Sequence, residues 1–197
     1  MGGMPDPIVL VHHDSVAWTE QHGALTAAGH RVVPFTGSGP GELAGFLRRP
    51  DLDGCVLVGA AAGTGTVVRC LSTYGSGGVR KAVLIGAVPP CLRRSADNPD
   101  GLDDDALAYT RARLAGRPEV VEAVLHADYR ADLARIDVPV LLLHGDADLV
   151  LPIDATAHRL PGLIPDLRYE VVPDGPHDLG RTRPEAVNRY LLDWVAS

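Results

Sequence analysis

The sequence predicts an α/β protein built on a mainly parallel sheet of about six strands, and three features carry that prediction. Short apolar, β-branched runs alternate with helical patterns along the chain, as strands joined by crossovers require. The run Val138 to Leu143 is apolar without a break, which suits a strand covered on both faces. A second run, Cys55 to Val58, ends in Gly59 and passes into a helical stretch, so a tight turn joins strand to helix there.

The elements follow in order. Ile8 to Val11 reads as the first strand, Val16 to Ala28 as a helix capped by Ser15, and Arg31 to Phe35 as the second strand. Gly37, Ser38, Gly39, Pro40 and Gly41 make a flexible loop ahead of a short helix at Glu42 to Arg49. Cys55 to Val58 is the third strand, Thr64 to Leu71 its helix, and Ala82 to Ile85 the fourth strand. Between Pro89 and Asp137 two helical patterns, Asp104 to Leu114 and Glu119 to His126, form an insertion. Val138 to Leu143 and Tyr169 to Val172 are the last strands, and a terminal helix opens at Pro184. All crossovers are expected to be helical, with ligand chemistry at the carboxyl ends of the strands.

Length and composition narrow the function. A chain of 197 residues with 46% hydrophobic content suits one packed domain spanning 1–197, with the insertion at about 91–136. Eighteen Lys and Arg against 25 Asp and Glu leave a formal charge of −7, with no basic run, so a nucleic-acid footprint is not expected. No apolar run is long enough to cross a bilayer, and the expected location is the cytoplasm. Cys55, Cys70 and Cys91 are odd in number and fit reduced thiols. The expected partner is a small-molecule substrate, with no nucleic acid and no membrane; whether the chain forms a homo-oligomer is left open.

Gly59, Ala60, Ala61, Ala62 and Gly63 have the frame of a G-x-S-x-G nucleophile elbow, with Ala61 where the serine belongs. Strand, tight turn and helix are the setting that elbow needs. Gly59, Gly63 and Gly65 also match a dinucleotide-binding glycine pattern, but that pattern should follow the first strand, and Tyr74 lacks the lysine four residues on. A phosphate-binding loop is ruled out because no Gly-Lys-Ser/Thr follows.

Two later segments complete the pattern. The strand at Val138 leads into His144, Gly145, Asp146, Ala147 and Asp148, with Pro152 beyond, and the strand at Tyr169 leads into Gly175, Pro176 and His177. Elbow, Asp148 and His177 fall in the chain order of an α/β-hydrolase. The chain therefore resembles the α/β-hydrolase superfamily, and in particular its non-haem haloperoxidase and esterase branch. The likeness is densest from Cys55 to Asn98 and from Asp132 onward; Lys81 to Pro90 and the run Asp97, Asn98, Pro99, Asp100, Gly101 are much like that branch.

The resemblance implies a three-layer fold, here without the first two family strands and with the lid reduced to a short helical pair. It also implies an oxyanion hole, whose first donor would be the N–H of Ala62. The second donor normally follows a His-Gly pair, but this chain reads His12, His13, Asp14, so Asp14 takes the position whose N–H would point at the oxyanion, and its carboxylate would oppose hydrolysis unless it points away or is protonated. The family's glycine-rich arginine segment is replaced by Gly37 to Gly41. Thr64 and Cys91 are substitute nucleophiles without the elbow's geometry; Cys91 is expected near the substrate. His144 reads as a structural strand-end residue and Asp146 as a turn former. His12, His13 and Asp14 do not make a metal site, since adjacent strand residues face opposite ways; no metal or cofactor is expected.

What survives is a His177–Asp148 dyad facing Ala61. The leading expectation is a small-molecule enzyme using His177 as general acid or base in an elimination, cyclisation or isomerisation. Two alternatives stand beside it: an esterase, lactonase or thioesterase whose serine was exchanged for Ala61, and a non-catalytic binding pseudo-hydrolase.

Overall fold

A computed structural model of the chain describes residues 6–11, 18–37, 39–87, 90–113 and 118–197. Six strands, β1 (Ile8–Val11), β2 (Val32–Phe35), β3 (Cys55–Ala60), β4 (Val79–Ile85), β5 (Val140–Gly145) and β6 (Leu167–Val172), form one sheet in the order β2-β1-β3-β4-β5-β6. Every pairing is parallel.

The unbroken apolar runs follow from covering both faces of that sheet, since successive strand residues point to opposite sides. Val9, Leu57, Leu84 and Leu142 pack into one core with Leu43, Val67 and Leu71. Their neighbours Leu10, Val58, Val83 and Leu141 pack into a second core with Leu25, Val187, Leu191 and Trp194. The first core lies under α2 (Pro40–Leu47) and α3 (Ala62–Tyr74), the second under α1 (Thr19–Ala27) and α8 (Pro184–Ala196). The result is the expected three layers. Lys81 on β4 fastens the end of α8, donating from Nζ to Trp194 O at 3.0 Å and to Ser197 Oγ at 2.8 Å.

Several expectations need adjustment. The predicted cap Ser15, with Val16 and Ala17, lies outside the described residues, and α1 is described from Thr19. Pro40 and Gly41 belong to α2 rather than to a loop, because proline suits the first helical turn and Gly39 ahead of it is extended. The segment between β4 and β5 carries α4 (Asp104–Arg113) and α5 (Pro118–His126) as predicted, plus an unpredicted single turn, α6 (Arg130–Leu133).

The crossover from β5 to β6 is not a helix. It consists of two 3₁₀ turns, Ile153–Ala155 and Ala157–Arg159, because Thr156 between them leaves the helical region with φ −128° and ψ −94°. A last short turn, α7 (Leu179–Thr182), precedes α8.

Register aligns the strand ends that matter. Val11 pairs with Gly59, Ala60 with Ile85, Ile85 with Leu143, and Gly145 with Val172. The chain therefore leaves β3, β4, β5 and β6 at one level, on one edge of the sheet.

Candidate active site

The turn after β3 is the first component. Ala61 has φ 48° and ψ −125°, a conformation side-chain-bearing residues rarely adopt. Neighbours over-determine it. Ala61 N–H donates to Ile85 O on β4 at 2.9 Å, and Ala61 O accepts from Thr64 N–H at 3.0 Å and from the Thr64 hydroxyl at 2.6 Å. A side chain at Gly59 would lie 2.9 Å from Val67 Cγ2 and 3.1 Å from Thr64 Cα, so only glycine lets α3 fold back so closely over β3. Thr64 is fully buried and its hydroxyl is turned to the elbow's own carbonyl, which removes it as a substitute nucleophile.

The second component is the acid. Asp148 is buried in the turn after β5, where its Oδ1 accepts from Val150 N–H and Leu151 N–H, both at 2.8 Å. Its Oδ2 lies 2.9 Å from His177 Nδ1 and 3.3 Å from His144 Nε2. Burial by itself would push this carboxyl up, but hydrogen bonds from His144, His177 and the Leu151 N–H, with the nearby His177 ring, hold it well below the usual carboxylate range. Asp148 is thus an anion anchored on both oxygens.

The third component is His177, partly exposed on the loop after β6. Two backbone contacts bring this loop onto the acid turn. Ala147 N–H donates to Gly175 O at 3.1 Å, and a side chain at Gly145 would strike the Gly175 carbonyl and lie within 2.9 Å of its Cα. The loop also reaches over β4, since a side chain at Gly86 would sit 3.5 Å from His177 O. Gly86 N–H in turn donates to Leu143 O at 2.9 Å. Elbow, acid and histidine therefore share one sheet edge, with the elbow tied to the end of β4 and the histidine backbone lying across it.

The other predicted residues divide. Ala62 is the first residue of α3, where helix N–H groups lack intrahelical acceptors. His13 and Asp14, like His12, lie outside the described residues. Cys91 pairs as an isolated bridge with Asp128, and its Sγ is 4.0 Å from Arg93 O. Its carbonyl accepts from Asn98 Nδ2 and Arg159 Nη1, each at 3.0 Å, and Asn98 Oδ1 also accepts from Arg159. That network was missed: Asn98 stood in a run noted only for its family likeness, and nothing local pointed to Arg159, 61 residues away. Thr110 on α4 was missed too; its hydroxyl donates to Val150 O at 2.9 Å and ties α4 to the acid turn. Among the described residues no group of three His, Cys, Asp or Glu side chains is placed to hold a metal ion, and no helix is long and apolar enough to cross a membrane.

No family model matches the chain. Similar proteins are nonetheless plain. A Synechocystis sp. relative that carries a non-haem chloroperoxidase name is 34% identical over 254 residues, covering 98% of this chain and 92% of its own. The chain belongs to the non-haem haloperoxidase and esterase branch of the α/β-hydrolase superfamily. A crystal structure of a bromoperoxidase from Bacillus anthracis superposes with a TM-score of 0.85 at 27% identity, covering 99% of this chain and 93% of that one. The fold of an esterase from Exiguobacterium antarcticum also matches, with a TM-score of 0.82 at 20% identity over 100% of this chain and 94% of that one. Because the 34% match runs over 254 residues and this chain has 197, the α/β-hydrolase relative carries internal residues with no counterpart here.

Proposed function

We propose that the chain is a small-molecule enzyme in which His177, oriented by Asp148, moves a proton on a bound carbonyl compound without forming an acyl-enzyme. The observation that carries this reading is the 2.9 Å contact of His177 Nδ1 with a buried, anionic Asp148 beside an elbow that presents only a methyl group. A carboxylate on Nδ1 fixes the ring's tautomer and stabilises its protonated form, which leaves Nε2 to exchange protons with substrate. The first N–H groups of α3, at Ala62 and Gly63, supply positive potential where an enolate oxygen would develop. Elimination, cyclisation and isomerisation of such compounds can each use those two devices without an enzyme nucleophile. We infer further that residues 91–136 are the family's lid in shortened form, which accords with the internal residues the relative has in excess.

A second reading, a hydrolase whose serine has been replaced, is favoured by the torsion angles kept at Ala61. One experiment separates the two. Removing a triad nucleophile costs on the order of 10⁶-fold in turnover, so the unaltered chain should be near background on an ester, lactone and thioester panel. It should instead exchange solvent deuterium into carbonyl compounds with an acidic C–H, and His177→Ala should abolish that exchange. Ala61→Ser decides the matter: if it gains several orders of magnitude on the panel, the site is built for acyl transfer and the proton-transfer reading falls.

A further inference from the structure

Asp148 serves two imidazoles, and only one of them belongs to the acid/base step. His144, near the end of β5, is fully buried. Its Nε2 lies 2.9 Å from Leu151 O, 3.3 Å from Asp148 Oδ2 and 3.3 Å from Thr156 Oγ1. A carbonyl oxygen can only accept, so Nε2 carries the hydrogen. The Thr156 hydroxyl has its own acceptor, Pro152 O at 2.9 Å. Nδ1 of His144 is buried with no hydrogen-bond partner among the described residues, and a hydrogen placed there would be stranded. The hydrogen on Nε2 is therefore given to the Leu151 carbonyl, with Asp148 Oδ2 close beside it at 3.3 Å.

We propose that His144 is a positioning residue that tunes His177 through Asp148. The Nδ1–H of His177 bonds Oδ2 at 2.9 Å, and the polar Nε2–H of His144 bears on the same oxygen from 3.3 Å. Oδ1 is held by the Val150 and Leu151 N–H groups, so the carboxylate does not swing toward either ring. His144 fixes the direction of Oδ2 and draws off part of its charge, which lessens the stabilisation available to protonated His177. The groups facing this carboxylate are His144 from β5, His177 from the loop after β6 and the two N–H groups of its own turn; Thr156, from the crossover, faces His144. The catalytic meaning of this tuning rests on the acid/base reading of His177, but the tuning itself is measurable without turnover.

The test is an NMR titration of the full chain carrying ¹⁵N-labelled histidine. In the unaltered protein His144 should show the Nε2–H tautomer throughout the titration of His177. His144→Leu removes the competing donor, and the His177 midpoint should rise by about half a pH unit or more, a roughly threefold change in proton affinity. His144→Gln, whose amide can donate to the same oxygen, should keep the midpoint close to that of the unaltered chain. An Nδ1–H tautomer at His144 overturns the proposal, as does a His177 midpoint that stays put or falls in folded His144→Leu. If His144→Leu does not fold, the tautomer and the His144→Gln midpoint decide. Failure of the acid/base reading would look different: the titrations would behave as stated while deuterium exchange survived His177→Ala.

Discussion

At the end of β3 the chain holds a strained turn around a methyl group; two strands away, past β5 and β6, it holds a carboxylate gripped by two backbone N–H groups and two imidazoles. Both turns lie at the carboxyl ends of parallel strands, on one edge of the sheet. Only the second carries ionisable side chains, Asp148 and His177, in contact with one another. The difference teaches that backbone shape and reactive groups are held by separate causes. The elbow's shape is imposed by Gly59, by the Ala61–Ile85 hydrogen bond and by the return of α3 over the sheet, none of which involves the side chain at position 61. The acid turn's shape, by contrast, depends on the carboxylate itself, because Asp148 satisfies the N–H groups that close it. Substitutions should therefore hurt on the acid side and be tolerated, or even welcomed, at the elbow.

The largest expected effect lies where the acid and histidine loops touch. Gly145→Ala puts a methyl group into the Gly175 backbone, with no flexible side chain to move aside. The expected loss is about 4 kcal/mol or more, at the exceptional end for a single methyl, because two loops must separate. Thermal unfolding or recovery of soluble protein reads this directly. A Gly145→Ala protein as stable as its parent would show that the two loops are not locked together.

Next comes Asp148→Asn. The amide cannot accept from both imidazoles and both N–H groups as the carboxylate does, so about 2–3 kcal/mol of stability should go at neutral pH. The same site sets an acid dependence. The folded carboxyl titrates below its ordinary value of 3.8. Its contribution is therefore fully present above the unfolded value and is lost as pH falls below about 4 toward the folded one. Chemical denaturation of the two proteins across acid pH should show a gap that narrows as pH drops through that window. A gap that stays constant would mean the stabilising interactions at Asp148 do not depend on its charge.

The sequence showed most of this architecture because its signals are local. Short apolar, β-branched runs marked all six strands, and chain order singled out Ala61, Asp148 and His177. What it hid were contacts between distant segments. The second donor on Asp148 Oδ2 is His144, whose burial and ring orientation follow from packing between β5 and the crossover carrying Thr156. Arg159 holds Cys91 O and Asn98 from 68 and 61 residues away, which no motif spacing encodes. The β5–β6 crossover was expected to be helical from the alternating strand-helix pattern; its own residues, with Pro152, Pro161, Gly162 and Pro165, oppose a long helix, and Thr156 separates its two 3₁₀ turns.

The smallest effect has the most telling sign. Replacing alanine by glycine inside a regular helix costs about 1 kcal/mol, and Ala123, exposed on α5, is a suitable control. At Ala61 the balance reverses. A sparsely populated conformation costs on the order of 1–3 kcal/mol for a residue with a Cβ and little for glycine, against about 0.4–1 kcal/mol from the freer unfolded chain. Because the Ala61 methyl is only half-buried, little packing is lost. Ala61→Gly should therefore stabilise the chain by about 1 kcal/mol, or raise Tm by roughly 2–4 °C for a chain of this length. Destabilisation matching the Ala123→Gly control would mean the turn is relaxed with alanine in place, and the contrast with the acid turn would lose its basis. Turnover in the same protein adds the functional half. If stability rises and proton transfer persists, the strain at the elbow is an unused constraint of the fold. If stability rises while proton transfer falls, that strain is what aims the α3 N–H groups, and the turn at Ala61 takes part in the reaction.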